Sequence, residues 1–323
     1  MSANTNTNIP RIVLGTMTFG LENTTIEGSV IRVRGVENVG QFVDKFHSFG
    51  HIEIDTARAY GAGDSELVLS QLPTAHLKIS TKVYPAYAGA FDAVNLPRQF
   101  RQSLEALKTN KIDILYLHAP ESDTPIDVTL KAINDLYKEG LFERFGLSNY
   151  SSWNYNPIAR SVVPELLPCL KHYNIGFYAF NIVGGGLLTG KYKFSQEAAE
   201  GSRYDTSIWS GKAFHERYWK NLNFEGIEIV ETAAKTHGLT LLEATVRWMR
   251  YHSGLEAKDG IILGASSVKH LEENLTDLEK GPLPESVVEA FDQAWNHVKP
   301  VSTAYFRYGN EKRPNSVTNI KKE

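Results

Sequence analysis

An α/β fold built on a parallel sheet is the architecture this sequence predicts, and three observations predict it. Short β-branched and apolar runs alternate with longer amphipathic ones along nearly the whole chain. The 323 residues suit one large α/β barrel or two small domains, with ample chain for a buried core. No composition shift, internal repeat or low-complexity tract marks a linker.

The strand runs are Arg11–Gly15, His51–Asp55, Leu77–Lys82, Asp113–His118, Glu143–Ser148, Ile175–Asn181 and Gly260–Gly264. Between them Val36–Phe49, Leu96–Lys108 and Pro125–Glu139 space apolar residues three and four apart, the period of a helix with one buried stripe. Pro125 before Ile126-Asp127 suits a helix start, because the N–H that proline lacks would have no partner in a first turn. Gly140 suits that helix's end. Seven strands are counted where a closed (β/α)8 barrel needs eight.

Charge and composition narrow the class. A net charge of −3, from interspersed acidic and basic residues, offers no footprint for nucleic acid or an anionic membrane. Met1 to Asn6 is polar and lacks the basic-then-apolar pattern of a signal peptide. The longest uncharged stretch, Ile175 to Gly190, holds five glycines and an asparagine, so it does not read as a membrane span. Cys169 is the only cysteine, which excludes internal disulfides and a cysteine-built metal site. The expectation is a cytoplasmic protein acting on a small molecule, without a metal.

In α/β barrels the active site is assembled where strands end. Here one strand ends in Asp55 followed by Thr56 to Tyr60, the next in Lys82, the next in His118 and the next in Ser148-Asn149. Taken singly, each residue has a plain structural role: Asp55 a helix cap, Lys82 a solvated strand end, His118 a satisfied histidine, Tyr60 a packing residue. An acid, a lysine and a histidine at the ends of consecutive apolar strands, however, would converge on one mouth. Other motifs fail on inspection. Gly185 to Lys191 has P-loop spacing, but Tyr192 stands where a hydroxyl must bind magnesium. His47 and His51 are separated by Gly50 and do not share a helix face. Neither Gly-x-Ser-x-Gly nor Gly-x-Gly-x-x-Gly occurs.

The segments Ile54-Asp55-Thr56-Ala57-x-x-Tyr60-Gly61, Ile79-Ser80-Thr81-Lys82, Leu115-Tyr116-Leu117-His118 and Gly146-Leu147-Ser148-Asn149-Tyr150 together resemble the aldo-keto reductases. The resemblance runs from Ile12 to Arg307, and its later segments (Phe177–Asn181, Gly185–Gly190, Val246–Met249, Ala290–Asn296) look like the aflatoxin-aldehyde and succinic-semialdehyde reductase branch. It implies a (β/α)8 TIM barrel over residues 9–307, with 1–8 and 308–323 as flexible tails. It further implies NADPH-dependent reduction of an aldehyde or ketone, with Tyr60 as general acid among Asp55, Lys82 and His118. A tyrosine gives up its proton only near pH 10, so a lysine beside it is expected to lower that value, with aspartate balancing the lysine.

By the same resemblance Ser148 and Asn149 hold the nicotinamide amide. Asn181, Gly185, Gly186, Leu188, Gly190, Lys191, Arg203, Ser266, Ser267, His270, Glu273 and Asn274 hold the rest of the cofactor, and His270, aided by Lys269, favours NADPH over NADH. His118, Arg217 and Arg307 would face the substrate. Relatives in this branch are often dimers, which admits a homodimer here. The pattern breaks at one place. Between Asn149 and the Tyr155-Asn156 pair the family has a helix and its sixth strand, and this chain has five residues, Tyr150 to Asn154. The lost strand carries a glutamine that contacts the nicotinamide, and nothing here replaces it. A non-catalytic or weakly active nucleotide-binding barrel, a truncated isoform or a regulatory subunit, is therefore the rival reading.

Overall fold

A computed structural model describes residues 8–25, 30–150 and 155–303. The chain divides into two compact units. The first consists mainly of Leu14–Ser151, with Gly264–Val268; the second consists mainly of Ser152–Leu263 and Lys269–Tyr305, with the start of the chain.

Strand β1 (Arg11–Gly15) is divided between them, with Leu14 and Gly15 in the first unit. There β2 (Phe19–Gly20) and β3 (Val33–Arg34) form a short parallel pair. Helix α1 (Val36–Ser48) buries Val39, Phe42, Val43 and Phe46, the i, i+3, i+4, i+7 stripe the sequence shows. Strand β4 (Glu53–Asp55), α2 (Asp64–Leu69), β5 (Lys78–Val83), α3 (Asn95–Ala106), β6 (Ile112–Leu117), α4 (Ile126–Lys138) and β7 (Phe142–Leu147) then alternate. The four strands β4 to β7 pair in parallel in sequence order. Lys82 registers with Tyr116 and Tyr116 with Gly146, where a Cβ would run into the Tyr116 ring. Pro125 caps α4 as expected, and Gly140 comes just after it at φ 78.

In the second unit α5 (Leu166–His172) buries none of its residues. Strand β8 (Tyr178–Ala179) pairs in parallel with β9 (Gly260–Leu263). The expected strand Ile175–Asn181 thus shrinks to two residues, and Asn181 lies beyond it at φ 58. Helix α6 (Trp209–Tyr218) leads into α7 (Asn221–Thr236), α8 (Leu241–Tyr251), α9 (Val268–Leu278) and α10 (Glu285–Val298). Thr240 caps α8 by accepting the Glu243 N–H at 3.0 Å. Tyr155, Phe177, Trp248 and Phe291 form its aromatic core, with Tyr155 donating to the Ser253 carbonyl. Among the described residues seven strands belong to the βα alternation, one short of the eight of a closed barrel. No helix of the described residues is long and apolar enough to cross a membrane.

Candidate active site

Asp55, Tyr60, Lys82 and His118 all belong to the first unit, and its strands bring them together. Lys82 is buried near the end of β5 and gives both Asp55 carboxylate oxygens a hydrogen bond, at 2.7 and 2.6 Å. Its third proton goes to the Thr56 carbonyl at 2.8 Å. The Tyr60 hydroxyl stands 3.5 Å from Lys82 Nζ. Asp55 is therefore no helix cap and Lys82 no solvated strand end. A lone buried ammonium would be costly, and the paired carboxylate offsets that cost.

Tyr60 opens a 3-10 turn (Tyr60–Gly63) in which Gly61 and Ala62 are left-handed, at φ 59 and 54. Alanine rarely adopts that conformation, so the backbone carries local strain next to Tyr60. His118 comes directly after β6 and meets the Tyr60 ring edge-on at 5.5 Å and the Tyr84 ring at 5.3 Å. Its Nδ1 is buried and has no hydrogen-bond partner among the described residues. Asn149, at φ 59, donates to the His118 carbonyl at 2.8 Å and to Ser148 Oγ at 3.0 Å.

The electrostatics correct one expectation. Lys82 does pull the Tyr60 phenol down, but burial outweighs it, and the hydroxyl sits above the ordinary tyrosine value. Burial also works against the Lys82 ammonium, yet Asp55 and Tyr60 together hold it above the ordinary lysine value. Burial, helped by the charge on Lys82, lowers His118 to about 3. At neutral pH the cluster is thus a neutral imidazole, a protonated phenol and a charged lysine.

The remaining candidates are divided between the units. Ser266 and Ser267 belong to the first. In the second, Gly184, Gly185 and Gly186 turn consecutively at φ 58, 68 and 98, where only glycine is unstrained. The tight turn Gly184–Thr189 is ended by Gly190 at φ 76. The N–H groups of Gly184, Gly185 and Gly186 bond to the Asn181 carbonyl, Asn181 Oδ1 and the Val183 carbonyl. These three N–H groups are therefore already satisfied from within the turn. A Cβ at Gly186 would lie 3.9 Å from Lys191 Nζ. Leu188 is buried, and its N–H bonds to the Val183 carbonyl at 3.2 Å. Tyr204, wholly buried, donates to the Gly184 carbonyl.

Arg203 lies over the Phe214 ring at 5.2 Å, and Arg217 over the same ring at 5.8 Å. Arg217 also lines a small cleft with Asn156, Tyr218 and Ser302. His270 and Glu273 are exposed on α9, with Glu273 3.8 Å from Lys269. Asn274 is buried, and its Oδ1 has no partner among the described residues. Arg307 lies outside the described residues, as do 308–323, 1–7 and the Ser151 to Asn154 part of the break. The sequence reading missed Tyr84, although strand alternation from Lys82 pointed to it. It also missed Arg58, Ser65 and Glu66, which pack behind the Tyr60 loop.

The aldo/keto reductase family model matches the chain in two segments, residues 11–158 and 151–296. Human aldo-keto reductase family 7 member A3 is 39% identical over 294 residues, covering 80% of this chain and 88% of that protein. Mouse aflatoxin B1 aldehyde reductase member 2 is 37% identical, covering 92% of this chain and 88% of that protein. The mouse alignment runs over 334 residues, more than the chain's 323, so the relative carries residues that this chain lacks. The break between the two matched segments falls at the expected place. Among solved structures, a glycerol dehydrogenase from Gluconobacter oxydans has a TM-score of 0.69 at 18% identity, covering 97% of this chain and 98% of that one. An aldo-keto reductase from Klebsiella pneumoniae, solved in complex with NADPH, has a TM-score of 0.62 at 20% identity, covering 89% and 91%. The fold is theirs, an α/β barrel, with seven strands of the βα alternation among the described residues.

Proposed function

The chain belongs to the aldo/keto reductase family, and from that premise we propose that it reduces an aldehyde or ketone to the alcohol with NADPH, using Tyr60 as general acid. The observation that carries the proposal is the buried Asp55–Lys82 pair, with the Tyr60 hydroxyl 3.5 Å from the ammonium and His118 edge-on to its ring.

The residues fit such a cofactor. Lys191 stands before a glycine with no side chain, which suits a phosphate, and the unpartnered Asn274 oxygen suits a donor from an adenine or ribose. Asn181, Gly185, Gly186, Leu188, Gly190, Lys191, Arg203, Ser266, Ser267, His270, Glu273 and Asn274 would hold it, with Ser148 and Asn149 at the nicotinamide. When bound, the nicotinamide supplies the hydride. The chain supplies the proton and the placement. Tyr60 Oη gives its proton to the carbonyl oxygen as negative charge develops there. Lys82 stabilises the phenolate left behind, and Asp55 keeps the ammonium in place. The neutral His118 has one N–H to donate to the same oxygen, which orients the carbonyl without adding a positive charge. Arg217 and Arg307 suit a carboxylate elsewhere on the substrate.

Loss of NADPH absorbance with a panel of small aldehydes tests the reading. Tyr60→Phe should cost about 10²–10⁴ in kcat, the range of acid–base catalysis, while the NADPH dissociation constant stays put. A variant with full turnover would end the assignment. Fluorescence titration should show NADPH binding tighter than NADH, and equal affinities would remove the extra-phosphate role from His270 and Lys269. A second reading, binding without turnover, is favoured by one observation: Leu147, just before Ser148-Asn149, is 53% exposed. NADPH binding with no reduction of any aldehyde would select it.

A further inference from the structure

We propose that Glu66, through Arg58, is a positioning residue that sets the Tyr60 hydroxyl against Lys82; this rests on the reading of Tyr60 as the acid. Glu66 lies on α2 and is 0% exposed. Its two oxygens take partners from two different elements. Oε1 accepts the Thr81 hydroxyl at 2.6 Å, and Oε2 the Arg58 guanidinium at 3.0 Å. Thr81 immediately precedes Lys82 on β5, and Arg58 lies two residues before Tyr60. One carboxylate thus ties the strand that carries the ammonium to the loop that carries the phenol.

The backbone repeats the same link, since the Arg58 N–H donates to the Lys82 carbonyl at 3.1 Å. The neighbouring Ser65, also 0% exposed, anchors the other end of the loop. Its hydroxyl meets those of Thr56 and Thr16, both at 2.9 Å, and Thr16 also donates to the Asp55 carbonyl at 3.1 Å. The chain makes room for the guanidinium. Gly63, at φ 105, would carry a Cβ 2.7 Å from Arg58 Nη1. A leucine in place of Glu66 would fill the space without the cost of a buried charge, and a buried ion pair is poor evidence of stability. What the carboxylate provides, and a leucine cannot, is a fixed distance between Arg58 and Thr81. Tyr60 is the side chain whose contact depends on that distance, because it reaches Lys82 only at the outer limit of hydrogen bonding.

Glu66→Gln keeps the volume and the Thr81 bond and removes the charge facing Arg58. Its kcat should fall about 10²-fold, the scale of an ångström's misplacement. KM and the NADPH dissociation constant should stay within about twofold, because binding groups are untouched. A second readout needs no turnover. In protein labelled with [13Cζ]tyrosine, the Tyr60 resonance, identified by its loss in Tyr60→Phe, should move in Glu66→Gln. Arg58→Met, at a side chain 29% exposed, should move it in the same direction and serves if Glu66→Gln does not fold. Arg58→Lys, which keeps a charge for Glu66, should restore part of kcat. A purely structural role would lower the melting temperature and leave both the resonance and kcat per folded molecule unchanged, and that result overturns the proposal. The two readings fail separately. If Tyr60→Phe retains full turnover, the acid assignment falls, and the positioning role falls with it. If Tyr60→Phe is inactive while Glu66→Gln matches the parent, only the positioning role is lost.

Discussion

Across one face of the first unit's sheet, neighbouring strands fare differently. Thr81 and Val83 on β5, and Leu115 and Leu117 on β6, are all 0% exposed. Their register partners on β7, Phe145 and Leu147, are 38% and 53% exposed. The difference does not lie in the side chains, since Leu117 and Leu147 are the same residue one strand apart. It lies in the length of chain after each strand. β5 leads into α3 and β6 into α4, whereas β7 has only a few residues after it before Tyr155, too few for a covering helix. Full burial of a leucine or phenylalanine is worth roughly 1.5–3 kcal/mol. On β7 part of that is forgone, and an apolar face is left open beside Ser148 and Asn149. On β4 and β5 Ile54, Thr81 and Val83 are all 0% exposed, so the polar cluster at Lys82 lies where the cover is intact.

The sharpest test of the intact end is Lys82→Met, which leaves the Asp55 carboxylate buried and unpaired. Chemical denaturation should show a loss of about 3–5 kcal/mol. A loss within about 0.5 kcal/mol, typical of a surface change, would mean that this end is no better enclosed than β7.

Next in size is the direct contrast. Leu117→Ala should cost about 2–5 kcal/mol, as for other core truncations. Leu147→Ala should stay near the roughly 0.5 kcal/mol of a surface site and should reduce aggregation. Equal losses at the two positions would mean that the β7 face is covered in solution, and the comparison would collapse.

The smallest effect is a slope with pH. Folded His118 resists protonation down to about 3, while an unfolded histidine takes its proton near its ordinary value of 6.5. Below that value the unfolded chain binds more protons, so stability should fall as pH falls through this window and rise as pH rises through it. His118→Gln should flatten the slope in denaturation curves taken between about pH 7 and about pH 5. An unchanged slope would mean that the imidazole is as hydrated as a surface histidine.

Much of this was legible in the residues alone. Strand and helix periods located the βα alternation, because a buried stripe imposes its spacing wherever the element ends up. Asp55 and Lys82 stood out because charges at the ends of apolar strands need partners, and the break in the pattern showed as a shortage of chain between Asn149 and Tyr155. Other features depended on which segments the fold brings into register. Ile175–Asn181 has strand composition throughout, yet it pairs only at Tyr178 and Ala179, since strand length is set by the partner and not by propensity. No motif marks Glu66 in the sequence; the packing of α2 against the Tyr60 loop buries it and gives it Arg58 and Thr81. The direction of the Tyr60 shift was likewise a matter of tertiary structure. Sequence supplies the lysine that lowers a phenol's pKa, but how much water is excluded around the hydroxyl depends on every segment packed over it, and here that exclusion wins.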